Sequence, residues 1–339
     1  MAIAALLAFG LNLFFGRFLL AKLSTWPSLA RFKILDPQAP IVITNRQEIR
    51  LTDSGQLNDA LNAASPKLSL LVFKDGTNLA WAGTAVNLSS GGVFVAAPEA
   101  FAQKGQAYVV LSDGSSAKVL TQVSDPATGL VFFTADLKNM PIAVLGDSAG
   151  LNTGDKILIF SAGLEGSLAR AWPDFVSQAE DSRFNQVFSA GKISRNFSLA
   201  SLPQPGPGLV ALNMKGEVAG ISAASLWLPA DAVKTASVLY FAGQDKISRP
   251  DFDFTYKQIG PEEDAITGQS QGALVLSAGK TSSLKPGDVI TQISGQKIPQ
   301  DTFLEEALEK FKPGDAAQVK ISRGGQLLDM EIKARELKI

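Results

Sequence analysis

The side chains that most often carry out acid–base and metal chemistry are missing from this chain. It has 339 residues and contains neither histidine nor cysteine. Histidine is the usual general base near neutral pH and the commonest metal ligand, and cysteine supplies thiolates and disulfides. The composition therefore predicts no cofactor and no metal site, and leaves serine, lysine and carboxylate side chains as the remaining candidates for chemistry.

Two catalytic arrangements need no histidine. A serine–lysine dyad is one of them, and its candidate residues are Ser198, Ser201, Ser222, Lys192 and Lys215. No spacing singles out a pair among these, and solvated turn residues are the ordinary interpretation. A carboxylate pair of the glycosidase type could be built from Glu262, Glu263 and Asp264, but an acidic run of this kind is usually a solvated loop.

Composition also excludes some classes of function. The formal net charge is −1, so nothing indicates a general nucleic-acid binder. The chain has 30 glycines and 17 prolines, which is typical of a β protein rich in turns. No glycine-rich phosphate-binding motif occurs between a strand and a helix.

The N-terminus predicts a membrane anchor. Residues 1–16 carry no charged side chain, and the apolar run continues beyond Arg17 to Lys22. A run of about 20 residues is long enough to span the hydrocarbon core of a bilayer. Because no small-residue cleavage site follows, we expect an uncleaved single-pass transmembrane helix at 1–24, and then a connector at 25–66.

The rest of the chain has the pattern of short strands separated by turns. The spacing between these strands is typical of antiparallel barrels or sandwiches. The first set of predicted strands comprises LSLLVF, AWAGTAVNL, GGVFVAA, AYVVLSDG and LVFFTAD. A second set follows, comprising AVLG, DKILIFSAG, VFSAGKIS and GLVALNMKGEVAGIS, and the helical stretch ADAVKTASVLYFA ends it. Beyond a linker at 244–254, further strands accompany a predicted helix, TFLEEALEKF.

Two regions resemble the HtrA (DegP-like) family of trypsin-fold serine proteases. The more specific segment is LKPGDVITQISGQKI, which is similar to the strand–turn–strand signature of the family's PDZ domain. Fainter matches are GTAVNLSSGGVFVAA, VSDPATGLVFFTAD and GPGLVALNMKGEVAGI. The resemblance implies a mostly β chain, with a trypsin-like double β-barrel at 67–245 and a C-terminal PDZ domain at 246–339.

The resemblance places inert residues at the catalytic positions. The histidine position falls on Pro98, the aspartate position on Gly129 and the nucleophile position on Pro207. The second oxyanion-hole donor of the family would be the backbone N–H of residue 205, but Pro205 has none. From these degenerate positions the sequence predicts that the chain is not an enzyme, although it resembles a serine endopeptidase.

The PDZ entrance is also altered. In the family, backbone N–H groups just after an Arg-Pro pair capture the C-terminal carboxylate of a peptide. Here the corresponding peptide-binding residues are Phe252, Asp253 and Phe254, with aspartate at the usual glycine position. The carboxylates of Asp251 and Asp253 should repel an incoming carboxylate, so we expect weak binding of ordinary C-terminal peptides.

These patterns together predict a membrane-anchored, catalytically inactive pseudoprotease that serves as a scaffold or partner-binding subunit of a membrane-associated assembly. The alternative is a chaperone-like holdase that binds unfolded polypeptides. The expected partners are proteins, with a homo-oligomer as a further candidate arrangement, and no nucleic acid is expected.

The expected location is the cell membrane, with the bulk of the chain extracytoplasmic. The basic residues after the apolar run favour a cytoplasmic body; they are Arg17, Lys22, Arg31 and Lys33. The resemblance favours the opposite side, and we follow it. Long domains cross the membrane largely regardless of their own charge. The short run before the span also suggests that upstream basic residues are missing.

Overall fold

The computed structural model describes residues 53–162, 170–178, 187–193, 195–202, 205–206, 208–243, 246–259, 272–280, 282–298 and 304–338. The predicted membrane anchor at 1–24 lies outside these residues. Within the described ranges, no helix is both long and apolar enough to cross a membrane.

The first part of the described chain is a closed six-stranded antiparallel barrel. Helix α1 (Asp53–Ala64) precedes it, and a short 3₁₀ turn at Pro98–Phe101 follows the third strand. The order around the barrel is β1-β2-β3-β6-β5-β4. Its strands are β1 (Leu68–Asp75), β2 (Asn78–Asn87), β3 (Val93–Ala96), β4 (Gln106–Val110), β5 (Ser116–Ser124) and β6 (Val131–Ala135).

A second antiparallel sheet has the order β10-β8-β7-β11-β12-β13. Its two edges meet where Phe197 bridges Trp227, so this sheet also closes on itself. Helix α2 (Ala230–Gly243) follows, as the sequence predicts. The strands are β7 (Lys156–Ser161), β8 (Arg170–Gln178), β10 (Ser198–Leu199), β11 (Val210–Leu212), β12 (Val218–Ala223) and β13 (Leu226–Pro229).

The C-terminal part is built around a sheet with the order β20-β19-β17-β16-β15-β9, in which β9 is Val187–Ser189. Helix α3, described over Leu304–Leu308, ends three residues before Phe311, the last residue of the TFLEEALEKF pattern. A two-stranded ribbon pairs β14 (Pro250–Asp251) with β21 (Arg335–Glu336). The remaining strands are β15 (Phe254–Ile259), β16 (Gly272–Ala278), β17 (Val289–Ile293), β18 (Gln296–Lys297), β19 (Ala316–Arg323) and β20 (Gln326–Lys333).

Strand β9 (Val187–Ser189) belongs to this C-terminal sheet rather than to the second barrel. The sequence pattern predicts that its segment, VFSAGKIS, belongs with the strands of the second barrel, and the structure shows that this prediction is wrong. The physical reason is that a strand of three residues carries no information about its partner. Pairing with β15 is decided by long-range packing.

Each barrel has its own core. Leu71, Phe94 and Phe133 fill the first barrel, while Ile157 and Trp227 lie inside the second; all five side chains are fully buried. A further buried cluster joins both barrels with the inner faces of α1 and α2. The C-terminal sheet packs on α3 around a separate apolar cluster.

Asp288 stabilises the KPGD turn, which belongs to the segment LKPGDVITQISGQKI that resembles a PDZ domain. Its carboxylate accepts the Lys285 N–H at 2.7 Å and two bonds from the Arg323 guanidinium, at 2.6 and 2.7 Å. Burial alone would raise the pKa of Asp288, but these hydrogen bonds and the arginine charge outweigh it, so that the pKa lies below its ordinary value. The turn and strand β19 are therefore tied by one carboxylate.

A buried ion pair ties the C-terminal domain to the first barrel. Arg249, just before β14, donates to both oxygens of Asp125, at 2.9 and 2.8 Å. The two side chains are 3% and 0% exposed. Asp125 also accepts the Thr128 hydroxyl at 2.7 Å, so it shapes the loop that leads to Gly129. A two-bond geometry of this kind is the form in which a buried pair offsets its desolvation cost.

We therefore expect Asp125→Asn to be strongly destabilising. It removes the negative charge and leaves the Arg249 guanidinium buried without its counter-ion, which typically costs about 3–5 kcal/mol. Urea unfolding followed by tryptophan fluorescence measures the loss.

Lys320→Met is the matched control, because it breaks the exposed Lys320–Asp329 pair, whose atoms lie 3.8 Å apart. Exposed pairs contribute roughly 0–1 kcal/mol. Equal losses in the two variants would contradict the structural role given to Asp125.

Candidate functional site

The structure brings Pro98 and Gly129 together. Pro98 begins the 3₁₀ turn after β3, and Gly129 ends the loop held by Asp125. A Cβ atom on Gly129 would lie 3.5 Å from Cγ of Pro98, which is van der Waals contact. Gly129 has φ +75°, a conformation that strains any residue with a side chain. The two positions are thus neighbours in the fold.

The loop before β11 contacts β2 of the first barrel at Gly83 and Thr84. Gly208 has φ +73°, and a Cβ atom on it would come within 2.8 Å of the Gly83 Cα. Glycine at this position lets the two barrels approach, and the Gly208 carbonyl accepts the Thr84 N–H at 3.0 Å. Pro205 is buried beside the loop, whereas Pro207, the predicted nucleophile position, lies outside the described residues. We call Gly83, Pro98, Gly129, Gly208 and Ser222 the inter-barrel site.

Ser222 on β12 holds this loop in place. Its hydroxyl accepts the Leu209 N–H at 2.7 Å and donates to the Gly206 carbonyl at 2.8 Å. The side chain is fully buried. Ser201, another candidate from the sequence, donates its hydroxyl to Asp174 at 2.5 Å. Both hydroxyls therefore have structural partners other than lysine.

Glu99 is a site residue whose role the sequence does not reveal. It follows Pro98 in the 3₁₀ turn, and its Oε1 accepts the Ala224 N–H at 2.6 Å. Its Oε2 is buried and has no hydrogen-bond partner among the described residues. Only the folded chain places the turn after β12 beside this carboxylate. The carboxylates considered from the sequence, Glu262, Glu263 and Asp264, lie outside the described residues.

The predicted peptide-binding residues line the start of β15. Phe252 is 2% exposed and packs edge-on against Phe311, with ring centroids 5.6 Å apart. Phe254 is also buried, in the same apolar cluster. Asp253 has φ +57°, so it adopts the conformation that glycine favours, and its carboxylate lies 3.2 Å from Arg335. A pocket of about 450 Å³ opens beside this loop.

The carboxylate of Asp251 lies within the loop itself. Its Oδ1 accepts the Asp253 N–H at 2.9 Å, which is one of the backbone donors expected to capture a peptide terminus. Asp253 is the other aspartate that the sequence predicts to repel a carboxylate, and its negative charge is partly neutralised by Arg335. The weak binding of C-terminal peptides stays a prediction, with Asp251 as its more direct cause.

The sequence of this chain is similar to a PDZ family model and to curated serine proteases. A model of the PDZ domain matches residues 269–334. A probable periplasmic serine endoprotease, DegP-like, of Pseudomonas putida (strain GB-1) is 26% identical over 276 residues, which are 75% of this chain and 56% of the relative. A serine protease Do-like HtrA of Bacillus subtilis (strain 168) is 26% identical over 257 residues, 66% of this chain and 56% of the relative.

Solved structures agree with this placement. The HtrA-type protease AlgW with decapeptide superposes with a TM-score of 0.61 at 20% identity, over 83% of this chain and 98% of that one. The serine endoprotease from Yersinia pestis gives a TM-score of 0.53 at 16% identity, over 83% of this chain and 98% of that one. The predicted HtrA-like trypsin fold with a PDZ domain is confirmed.

One prediction needs correction. The degenerate positions predict that the chain is not an enzyme, but the relatives that share its fold are named serine endoproteases and proteases. The comparisons contradict the prediction. The chain spans 56% of the length of these Pseudomonas putida relatives.

We expect Ser222→Ala to loosen the loop before β11. The substitution leaves the buried Leu209 N–H and Gly206 carbonyl without their shared partner, which costs about 1–3 kcal/mol. Limited proteolysis should cut near Gly206 and Gly208 faster than in the unaltered chain.

Ser277→Ala is the control, since the Ser277 hydroxyl pairs with Thr255 in an exposed position. It should leave both the unfolding free energy and the cleavage pattern unchanged. Identical cleavage in both variants would refute the holding role of Ser222.

Proposed function

We propose that this chain is a protein-binding member of the HtrA-type fold, held at a membrane as a scaffold or partner-binding subunit of a membrane-associated assembly. The observation that carries the proposal is the edge of β15, which receives an extended segment in antiparallel register. Strand addition to a sheet edge is a general way of binding polypeptides, in which backbone hydrogen bonds supply affinity and side-chain pockets supply selectivity.

The comparisons support the same function. The matched PDZ domain covers most of the sheet that contains this edge. Two of the solved structures that share the fold are named as complexes of AlgW with a decapeptide or a tripeptide. By analogy, we propose that this chain also engages extended polypeptide through its C-terminal domain.

The inter-barrel site enters the proposal as a set of positions. We propose that Pro98, Gly129 and Pro207 are the counterparts of the three catalytic positions of the relatives, with Pro205 at the second oxyanion position. The contact between Pro98 and Gly129 supports two of these assignments. The binding role proposed for the C-terminal domain does not depend on them.

A photo-crosslinking experiment tests the binding role in intact cells. A photoreactive phenylalanine analogue replaces Ser283, which lies in the pocket beside the β15 entry loop. We expect one crosslinked membrane-associated protein, whose yield saturates as the chain is over-produced. The control carries the analogue in place of Leu120 on β5, which is 64% exposed.

Three outcomes are distinct. One saturable product from position 283 alone supports the scaffold. Many products, together with suppression of aggregation of unrelated unfolded proteins, indicate the holdase instead. Equal crosslinking from positions 283 and 120, or none from either, would refute the proposed binding site.

We also propose that the chain is a single-pass membrane protein with residues from about 25 onward on the extracytoplasmic side. The apolar run at 1–24 and the word periplasmic in the names of relatives support this arrangement. A protease added to spheroplasts should therefore remove a tag placed after Ile339. A tag that survives until the membrane is ruptured would place the chain in the cytoplasm, as the flanking basic residues favour.

A further inference from the structure

The groove beside β15 already holds a segment of the same chain. Strand β9 pairs antiparallel with β15, with Phe188 opposite Tyr256 and Ser189 opposite Thr255. One residue later, the Ala190 N–H donates to the Phe254 carbonyl at 2.9 Å. The segment runs toward the loop at 251–253, which is the direction in which a peptide added to this edge would present its C-terminus.

Phe188 anchors the segment. Its side chain is 1% exposed and stacks on Tyr256, with ring centroids 5.4 Å apart. It belongs to the same buried apolar cluster as Leu304 and Leu308 on α3. Val187, by contrast, is 64% exposed. One aromatic side chain therefore supplies most of the apolar contact.

The position in the loop at 251–253 where the C-terminal carboxylate of a peptide would bind is also occupied. Asp251 accepts the Asp253 N–H, and a Cβ atom on Gly191 would lie 2.8 Å from the Asp251 Oδ1. The segment thus passes close to Asp251 and continues, instead of ending there. A carboxylate carried by the chain occupies the loop, and an internal segment passes beside it.

Beyond the groove, an arginine fastens the segment to α3. Arg195 donates to Glu305 at 3.1 Å and to Glu309 at 2.5 Å. The three side chains are 11%, 5% and 18% exposed. Withdrawing the segment would leave two neighbouring, largely buried carboxylates without this cation. A partner that takes over the site needs a positive charge at the same place.

We propose that residues 187–190 are a built-in ligand of the PDZ groove. An outside partner binds there by displacing them, as an internal extended segment with an aromatic side chain at the place of Phe188 and a basic side chain facing Glu305 and Glu309. This inference rests on the proposed binding function. It adds that residues 187–190 close the binding site, and that the site selects partners with an aromatic and a basic side chain.

The test uses the full chain and a labelled peptide that copies residues 185–195, amidated at its C-terminus. Phe188→Ala should bind the peptide at least about ten-fold more tightly than the unaltered chain, because the apparent affinity rises with the fraction of molecules whose groove is open. Val187→Ala is the matched control on the same strand, and its affinity should be unchanged. Circular dichroism establishes that the variants are folded, and Arg195→Gln replaces Phe188→Ala if the latter is not.

A reversible lock completes the test. The chain has no cysteine of its own, so Ser189→Cys with Thr255→Cys forms a single pair at directly opposed positions. In the opened variant, oxidation should abolish the gain in peptide affinity and reduction should restore it. The proposal is overturned if the opened, folded variant binds no tighter, or if the oxidised lock binds as well as the reduced form. Crosslinking from position 283 that persists in either case would leave the binding function standing and remove only the built-in ligand.

Discussion

The buried pair of Arg249 and Asp125 is the interaction on which both candidate sites depend. Asp125 shapes the loop that positions Gly129 beside Pro98. Arg249 begins the C-terminal domain, and its carbonyl accepts the Leu337 N–H at 2.9 Å. Two charges withdrawn from water tolerate little displacement, since any loss of geometry exposes the full desolvation cost. A single contact therefore fixes the inter-barrel site and the PDZ entry loop at the same time.

The two sites share a further property, because in each one the chain satisfies its own backbone donors. Glu99 accepts the N–H of Ala224 beside the inter-barrel site. Asp251 accepts the N–H of Asp253, and strand β9 occupies the β15 edge. Donors of this kind would otherwise be available to an extended ligand. Binding in either place must then exchange an internal hydrogen bond for an external one, so the net gain per bond is small.

The sequence predicts the features that rest on local rules. The KPGD turn is recognisable because the Asp288 carboxylate bonds to Lys285 three residues away. The strands follow alternating burial, as β19 illustrates with buried residues at every second position from Ala317 to Ile321. These patterns involve neighbours along the chain; they predict the strands and turns, while the resemblance to a known family implies the double barrel and the PDZ domain.

The features missed by the sequence all involve partners far apart in the chain. Nothing near Val187–Ser189 indicates that β15 is its neighbour, and nothing near Glu99 indicates Ala224. The aspartates at the PDZ entrance show the same limit. Their charges predict repulsion of a carboxylate, but only the folded loop shows that Asp251 already accepts a backbone N–H there.

A ligand that belongs to the chain competes through its effective concentration. A segment tethered near its groove acts as if present at about millimolar concentration. A free peptide of equal intrinsic affinity at about micromolar concentration would then occupy roughly one groove in a thousand. An outside segment overcomes this either by binding more tightly or by being concentrated on the same surface. Attachment of both partners to one membrane, as proposed for this chain, would supply the second condition, so a groove closed in this way favours a partner held beside the chain over peptides that diffuse freely.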